Sequence, residues 1–341
     1  MAIKPEILFL KQEHVVEAGL LDMKQILDVT ENTFKMLGEG KVIQPTKVFL
    51  GMPNDTNWES YGMSMPAYVG GDENVVGFKW AAESVYNPTQ EGMPYGIDIV
   101  ILSDPKTMYP KAVLDGTITT AMRTSAAAGV AAKYTVRKDA KIAALIGAGV
   151  IGRTMIMAIA EACPQIEELR IVDLDYSKAE GLVKEFEGKY NVVAYSDAKE
   201  AMADADVVVT ETTSRKDFIP RAWITKDNAT VIQMEAHAFM DDVFEAADKV
   251  FVDSWNQTTH LAGHKMGELF KKGIVTEEGT GLVQQLATHE HPGRKSDNEF
   301  IVCSLAGMGS VDIAIANKMY KNAKEMGIGT KVYLWDNPLW V

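Results

Sequence analysis

The hydrophobic rhythm of the chain changes near residue 123. Before it, short apolar runs at residues 7–10, 42–50, 64–69, 75–81 and 97–102 are separated by clusters of Gly, Pro, Asn and Asp, which predicts strands and turns. Residues 23–37 carry apolar side chains at helical spacing and stop at Gly38, predicting a helix. After residue 123 the signals alternate strictly. Thr124 or Ser125 predicts the cap of a helix that runs through an alanine-rich stretch to Val136. Strands are predicted at 141–146, 169–172, 192–194, 207–210, 229–233 and 250–252, with helices at 150–162, 177–186 and 199–203. A last strand at 300–303 precedes a helix over 309–326 that ends at Gly327. Strands and helices alternating at these lengths imply an α/β fold, a parallel sheet with both faces covered.

One segment gives this alternation a chemical meaning. Gly147-Ala-Gly149-Val150-Ile151-Gly152 follows a predicted strand and opens a predicted helix. The first glycine permits the tight turn, the second lets backbone approach a pyrophosphate, and the third lets helix and strand pack closely. The helix N-terminus offers free N–H groups and a positive dipole end to phosphates. Asp173 ends the next predicted strand, where a carboxylate accepts both ribose hydroxyls and repels a 2′-phosphate. NAD is therefore expected over NADP. Thr212, Thr213 and Ser214 follow the strand that ends at Thr210, so they fall at a carboxyl strand end, where open α/β sheets bind ligands.

Composition narrows the partners. With 341 residues, 47% of them hydrophobic, the chain can bury two ordinary cores. A formal charge of -13 repels nucleic acid and anionic membrane, leaving small molecules as ligands. Two cysteines build no disulfide framework, the first residues show no apolar signal run, and no stretch approaches a membrane span, so a cytoplasmic protein is expected.

The chain resembles the ornithine cyclodeaminase/μ-crystallin family over nearly its whole length. The resemblance rests on Met65-Pro66-Ala67-Tyr68, on Gly77-Phe78-Lys79 with Asn87, Gly92 and Pro94, and on Asp115-Gly116 followed by Thr119 to Ser125. It continues in the run from Ser304 to Asp312 and in Tyr320, Ala323, Gly327 and Gly329. It implies a Rossmann domain, residues 126–313, inserted in an α+β substrate and dimerisation domain, residues 1–125 with 314–341. A homodimer is implied, as is a reaction on the C–N bond of an amino acid or its imine, by a dehydrogenase, a ketimine reductase or a cyclodeaminase. A hormone- or lens-type binding protein on the same scaffold is the alternative of another class.

That reaction needs a grip on the α-carboxylate and a handler for a proton on nitrogen. Arg123 is the expected carboxylate fork, placed just before a helix start, or else a structural ion pair. Lys79, in an apolar strand, either pairs with the carboxylate or relays a proton, unless it merely faces solvent. Lys47 stands where the family has an arginine and either binds the substrate carboxylate, with charge but no planar fork, or is a plain surface lysine; Asp312 either faces the pocket or caps its helix. Asn87, Arg123, Thr124 and Ser304 are expected beside the cofactor from the resemblance. His237 departs from the family, whose cyclodeaminases carry Gly-Ala-Asp where this chain reads Glu235-Ala236-His237. The change removes a carboxylate that would steady an ammonium. It leaves a residue that either shuttles a proton or only packs nearby. His260 and His264 would share one helical face, and His289, Glu290 and His291 lie further on, but no recognised metal spacing is present and no metal is expected.

Overall fold

The structure, a computed structural model, describes residues 5–53, 59–89, 93–260 and 263–340. Gly92 lies outside the described residues. The chain divides into two units, Met1–Arg123 with Met308–Val341, and Thr124–Gly307.

In the first unit, β1 (Glu6–Leu10) precedes helix Met23–Gly38, which Asp22 caps through the Gln25 amide at 3.1 Å. The predicted run 42–50 is two strands, β2 (Val42–Ile43) and β3 (Val48–Gly51), interrupted at Pro45, which has no N–H for a ladder. The long strands β4 (Ser60–Val69), β5 (Val75–Ser84) and β6 (Gly96–Ser103) pair antiparallel, and β7 (Pro110–Asp115), which the hydrophobic pattern did not predict, continues the sheet.

The second unit is built on strands that all run parallel: β8 (Ile142–Ile146), β9 (Glu168–Val172), β10 (Val192–Tyr195), β11 (Val207–Thr210), β12 (Thr230–Gln233), β13 (Lys249–Val252), β14 (Thr280–Leu282) and β15 (Ile301–Ser304). Their order is β10-β9-β8-β11-β12-β15-β13-β14. The chain winds one way from β8 to β10 and the other way from β11. The carboxyl ends of β8 and β11 therefore flank the switch point, where doubly wound sheets bind ligands. Val208, Val231, Phe239, Val252 and Phe300 fill the core on one face.

Helix Gly309–Met326 lies wholly in the first unit and ends at Gly327, whose φ of 70° is the left-handed cap that glycine adopts without strain. The chain thus re-enters that unit at Met308 rather than at residue 314. Close approach fixes the helix start: a Cβ on Gly309 would meet the Met65 carbonyl oxygen at 2.9 Å. The final strand, β16 (Thr330–Tyr333), closes the first sheet in the order β16-β1-β7-β6-β5-β4-β2, with β3 paired to β4.

The helix predicted to begin at Thr124 or Ser125 begins at Thr117. Its first turn is tied to the end of β7: Thr120 N–H donates to the Gly116 carbonyl at 2.8 Å, and the Asp115 carboxylate faces the Ile118 amide at 3.5 Å. Consecutive threonines are weak helix formers, and these tertiary ties override the propensity. Arg123 is consequently on the helix's second turn, not before its start, and draws nothing from a helix N-terminus.

Candidate functional site

In the first unit, strand alternation puts Lys79 on the buried face of β5, where it is 0% exposed. A lysine this deep must be paired. Its Nζ donates to Asp312 at 3.0 Å and to the Thr120 hydroxyl at 3.0 Å, with Asp98 at 3.7 Å. Asp312, fully buried in the first turn of helix Gly309–Met326, also accepts from Arg123 Nε at 3.2 Å. Burial alone would raise the Asp312 carboxyl, but the charges of Arg123 and Lys79 outweigh it and hold it below the usual carboxylate range. Asp312 is thus a buried counter-ion to both cations and not the residue at its helix cap. The residue at the helix cap is Met308, which makes no side-chain cap. Arg123 is anchored through Nε only. Its two Nη groups have no partner among the described residues, so the fork stays open to a planar anion. Lys47 lies between β2 and β3, and Asn87 donates its amide to the Tyr95 carbonyl at 3.1 Å.

In the second unit, Gly147 has φ 128°, and a Cβ there would meet the Glu211 carbonyl oxygen at 2.6 Å. Gly152 packs closer still: its Cβ would lie 2.0 Å from the Gly147 carbonyl oxygen. Beside Gly149 there is open space, with nothing within 4 Å of a Cβ position. Gly149 is also the N-cap of helix Val150–Ala162 and supplies no capping side chain. The first-turn N–H groups, those of Val150 and Ile151 included, therefore face an open cradle that a pyrophosphate would fill. Asp173 closes its far side, accepting from Ala148 N–H at 2.9 Å and from Asp175 N–H at 2.9 Å. Ser125 bonds Thr154 at 2.7 Å and clamps the two helices, with Thr124 buried beside it. Thr212 and Ser214 form a local turn after β11 with Thr213 exposed, and Ser304 is buried at the end of β15, facing Gln233 at 3.5 Å.

His237 has no spare nitrogen. Nδ1 meets the Asp217 carboxylate at 3.0 Å and Nε2 the Gly263 carbonyl at 2.7 Å. Both partners are acceptors, so only a ring protonated on both nitrogens donates to each. Asp217 and Asp241 both bind Lys265, which is buried, and Asp241 also binds Lys272. The geometry describes a structural network around the ring. The other histidines are dispersed. Helix Trp255–His260 ends at His260, and His264 caps the following helix, accepting from Met266 N–H at 3.3 Å, so the two do not share a helical face. His289 meets Tyr134, and His291 meets Phe251, edge to face.

Sequence reasoning singled out Asp312 but not its pairing with Lys79, and it missed Asp98; it noted Glu235 only beside His237, and it missed Glu211 and the burial of both glutamates at the carboxyl ends of β11 and β12. Glu211 and Glu235 are half-buried residues, yet all four carboxylate oxygens are shielded from solvent and lack hydrogen bonds. Burial raises Glu211 well above the usual range, and the charge of Glu235 adds to it. Burial pushes Glu235 up to about 8. A raised carboxyl contributes stability that is complete below the unfolded value of 4.5 and is lost as pH rises toward 8, at up to about 1.4 kcal/mol per pH unit. Glu235→Gln is therefore expected to melt at the wild-type temperature near pH 4 and above it at pH 8. An equal offset at both pH values would contradict the assignment.

Residues 6–327 match the model of the ornithine cyclodeaminase/mu-crystallin family. The chain belongs to that family. It is 30% identical over 332 residues to the alanine dehydrogenase of Archaeoglobus fulgidus, covering 96% of this chain and 98% of the relative. It is 29% identical over 337 residues to an N-((2S)-2-amino-2-carboxyethyl)-L-glutamate dehydrogenase of Staphylococcus aureus, covering 97% and 99%. Among solved structures it is similar to Thermococcus litoralis Δ(1)-pyrroline-2-carboxylate reductase in complex with NADH and L-proline, with a TM-score of 0.87, 27% identity and coverage of 96% and 100%. Among the described residues, no helix is long and apolar enough to cross a membrane.

Proposed function

We propose that this family member is an NAD(H)-dependent oxidoreductase that interconverts a small α-amino acid and its imine. The carrying observation is Arg123, fixed through Nε by buried Asp312 with its Nη fork open. A guanidinium so held presents two parallel N–H donors to an α-carboxylate without first having to be ordered. Lys79 neutralises Asp312 from the other side and is a positioning cation rather than a proton carrier. The glycine turn from Gly147 to Gly152 and the carboxylate of Asp173 fit a dinucleotide, and the acid at 173 favours NAD over its 2′-phosphorylated form. When bound, that cofactor supplies a hydride acceptor or donor for the α-carbon. Relatives named as alanine dehydrogenase and pyrroline-2-carboxylate reductase support the reaction class.

His237 is assigned a structural role, because both ring nitrogens are engaged. The protein is read as a cytoplasmic homodimer. An archaeal alanine dehydrogenase of this fold is a dimer with bound NAD, and Trp80, Ile97 and Ile99 of β5 and β6 expose apolar area suited to a second copy. The test is a panel of amino acids with NAD, and of 2-oxo acids with amines and NADH, followed by nicotinamide absorbance. Net NADH formation from an amino acid, in a protein sedimenting at twice its chain mass, is expected. Ammonia release without net NADH would replace this reading with a cyclodeaminase, and bound dinucleotide with no turnover would replace it with a binding protein.

A further inference from the structure

A reduction at an imine carbon also needs a proton at nitrogen, and neither Lys79 nor His237 is placed to give one. The first unit contains a better group. Side chains of β5 alternate, so Lys79, Ala81 and Glu83 share a face. Tyr61 stands directly opposite Glu83 on β4 and donates its hydroxyl to Glu83 Oε2. Burial raises the Glu83 carboxyl above its ordinary range. The Tyr61 hydrogen bond opposes that rise, the charge of Asp98 on β6 adds to it, and Lys79 and Arg123 pull it down. These are the groups that face it: Tyr61 from β4, Asp98 from β6, Lys79 from its own strand and Arg123 from helix Thr117–Thr135, with Tyr95 acting on Tyr61.

The other ionisable members of this cluster are tied to charged partners; Asp312 Oδ2 makes no hydrogen bond, but that carboxyl is fully buried and held below the usual range by two cations, a poor proton donor. Asp312 holds two cations, Asp98 accepts from Thr120 and from the Ala82 amide, and Lys79 is shared between Asp312 and Thr120. Glu83 forms no ion pair of its own among the described residues, and its one hydrogen bond comes from a neutral phenol, leaving its other oxygen available. It also lies within electrostatic reach of the guanidinium that grips the substrate carboxylate, and an α-nitrogen is only two bonds from that carboxylate.

Resting on the oxidoreductase reading above, we propose that Glu83 is the acid–base residue of the reaction, delivering a proton to the imine nitrogen. In the reducing direction the Glu83 O–H bond breaks and an N–H bond forms, while the α-carbon takes a hydride from reduced nicotinamide dinucleotide. The carboxylate left behind is reprotonated from solvent. In the oxidising direction the carboxylate removes the proton from nitrogen. Tyr61 is a positioning residue that aims Glu83 and stabilises its ionised form.

The test uses the full chain and the best imine substrate of the panel. Glu83→Gln is expected to lower kcat for reduction by about 10²–10⁴-fold. KM and the Kd for NADH should stay within about threefold, and the fall of kcat with rising pH should vanish. Glu83→Asp should recover part of the rate, and Tyr61→Phe should keep the pH limb but move it to higher pH. Glu83→Gln retaining kcat within tenfold and the wild-type pH profile overturns the proposal while the reaction class stands. If Glu83→Gln fails to fold, an unmoved pH limb in Tyr61→Phe overturns it instead. A wild-type protein that binds NADH but reduces no imine overturns the reaction class itself.

Discussion

Gly152→Ala is expected to abolish useful dinucleotide binding, raising the Kd for NADH by about 100-fold or more, and to lower the melting temperature. The new methyl group would sit 2.0 Å from the Gly147 carbonyl oxygen and 3.0 Å from the Gly147 carbonyl carbon, both backbone atoms. No rotamer change relieves such a clash, so the turn and helix Val150–Ala162 must separate. Overpacking of this kind costs about 1–3 kcal/mol of stability. Misaligning the first-turn N–H groups removes the anion cradle they form. Gly149→Ala makes the contrast. A Cβ there meets nothing within 4 Å, so the protein should fold and melt as the wild type does while NADH binding weakens, because the methyl occupies the open side of the cradle. Calorimetric titration and thermal melts of both variants decide the matter. Wild-type affinity in Gly152→Ala would mean that the dinucleotide does not bind at this turn.

The second unit was more legible than the first for a physical reason. Its central strands β8, β11, β12 and β15 are buried on both faces and read as continuous apolar runs, while short β14, half-buried throughout, went unpredicted; the unit's glycine positions are dictated by contacts within a few residues or by the next parallel strand. Those constraints are local and leave a local signature. In the first unit, β7 opens at Pro110 and alternates too weakly to stand out, and β16 is exposed at every position. The start of helix Thr117–Thr135 depends on tertiary ties to β7 and β6 that no propensity records. The charge cluster was half visible. Lys79 in an apolar strand demands an acid, but its partners come from positions 98 and 312, and only the fold brings them to one atom. Glu83 could have been found, since it lies four residues from Lys79 with strand period two and therefore on the same face. His237 shows the opposite case. Its residue type suggested proton transfer, yet its partners Asp217 and Gly263 come from distant loops and use both nitrogens.

The buried cluster also sets the size of the second large effect, at Arg123. Arg123→Lys is expected to lower kcat/KM for a carboxylate-bearing substrate by about 10²–10³-fold, with the Kd for NADH within threefold of wild type. Lysine keeps the positive charge, so Asp312 is not left with Lys79 as its sole cation, and folding should survive. What disappears is the planar fork. A lysine nitrogen drawn toward Asp312 can no longer present two parallel donors, and a charge-assisted bidentate grip from a guanidinium this buried is worth a few kcal/mol. Because the carboxylate fixes the α-carbon's orientation, part of the loss should appear in kcat and not only in KM. Arg123→Met goes further: it removes one of the two cations on a fully buried carboxylate, a change expected to cost about 3–5 kcal/mol and to unfold a share of the protein. Steady-state kinetics on Arg123→Lys, with substrate carboxylate and amide compared, isolates the grip. The amide should be a poor substrate for wild type and no worse for the variant. If both proteins use carboxylate substrate within threefold of each other, Arg123 serves the fold alone.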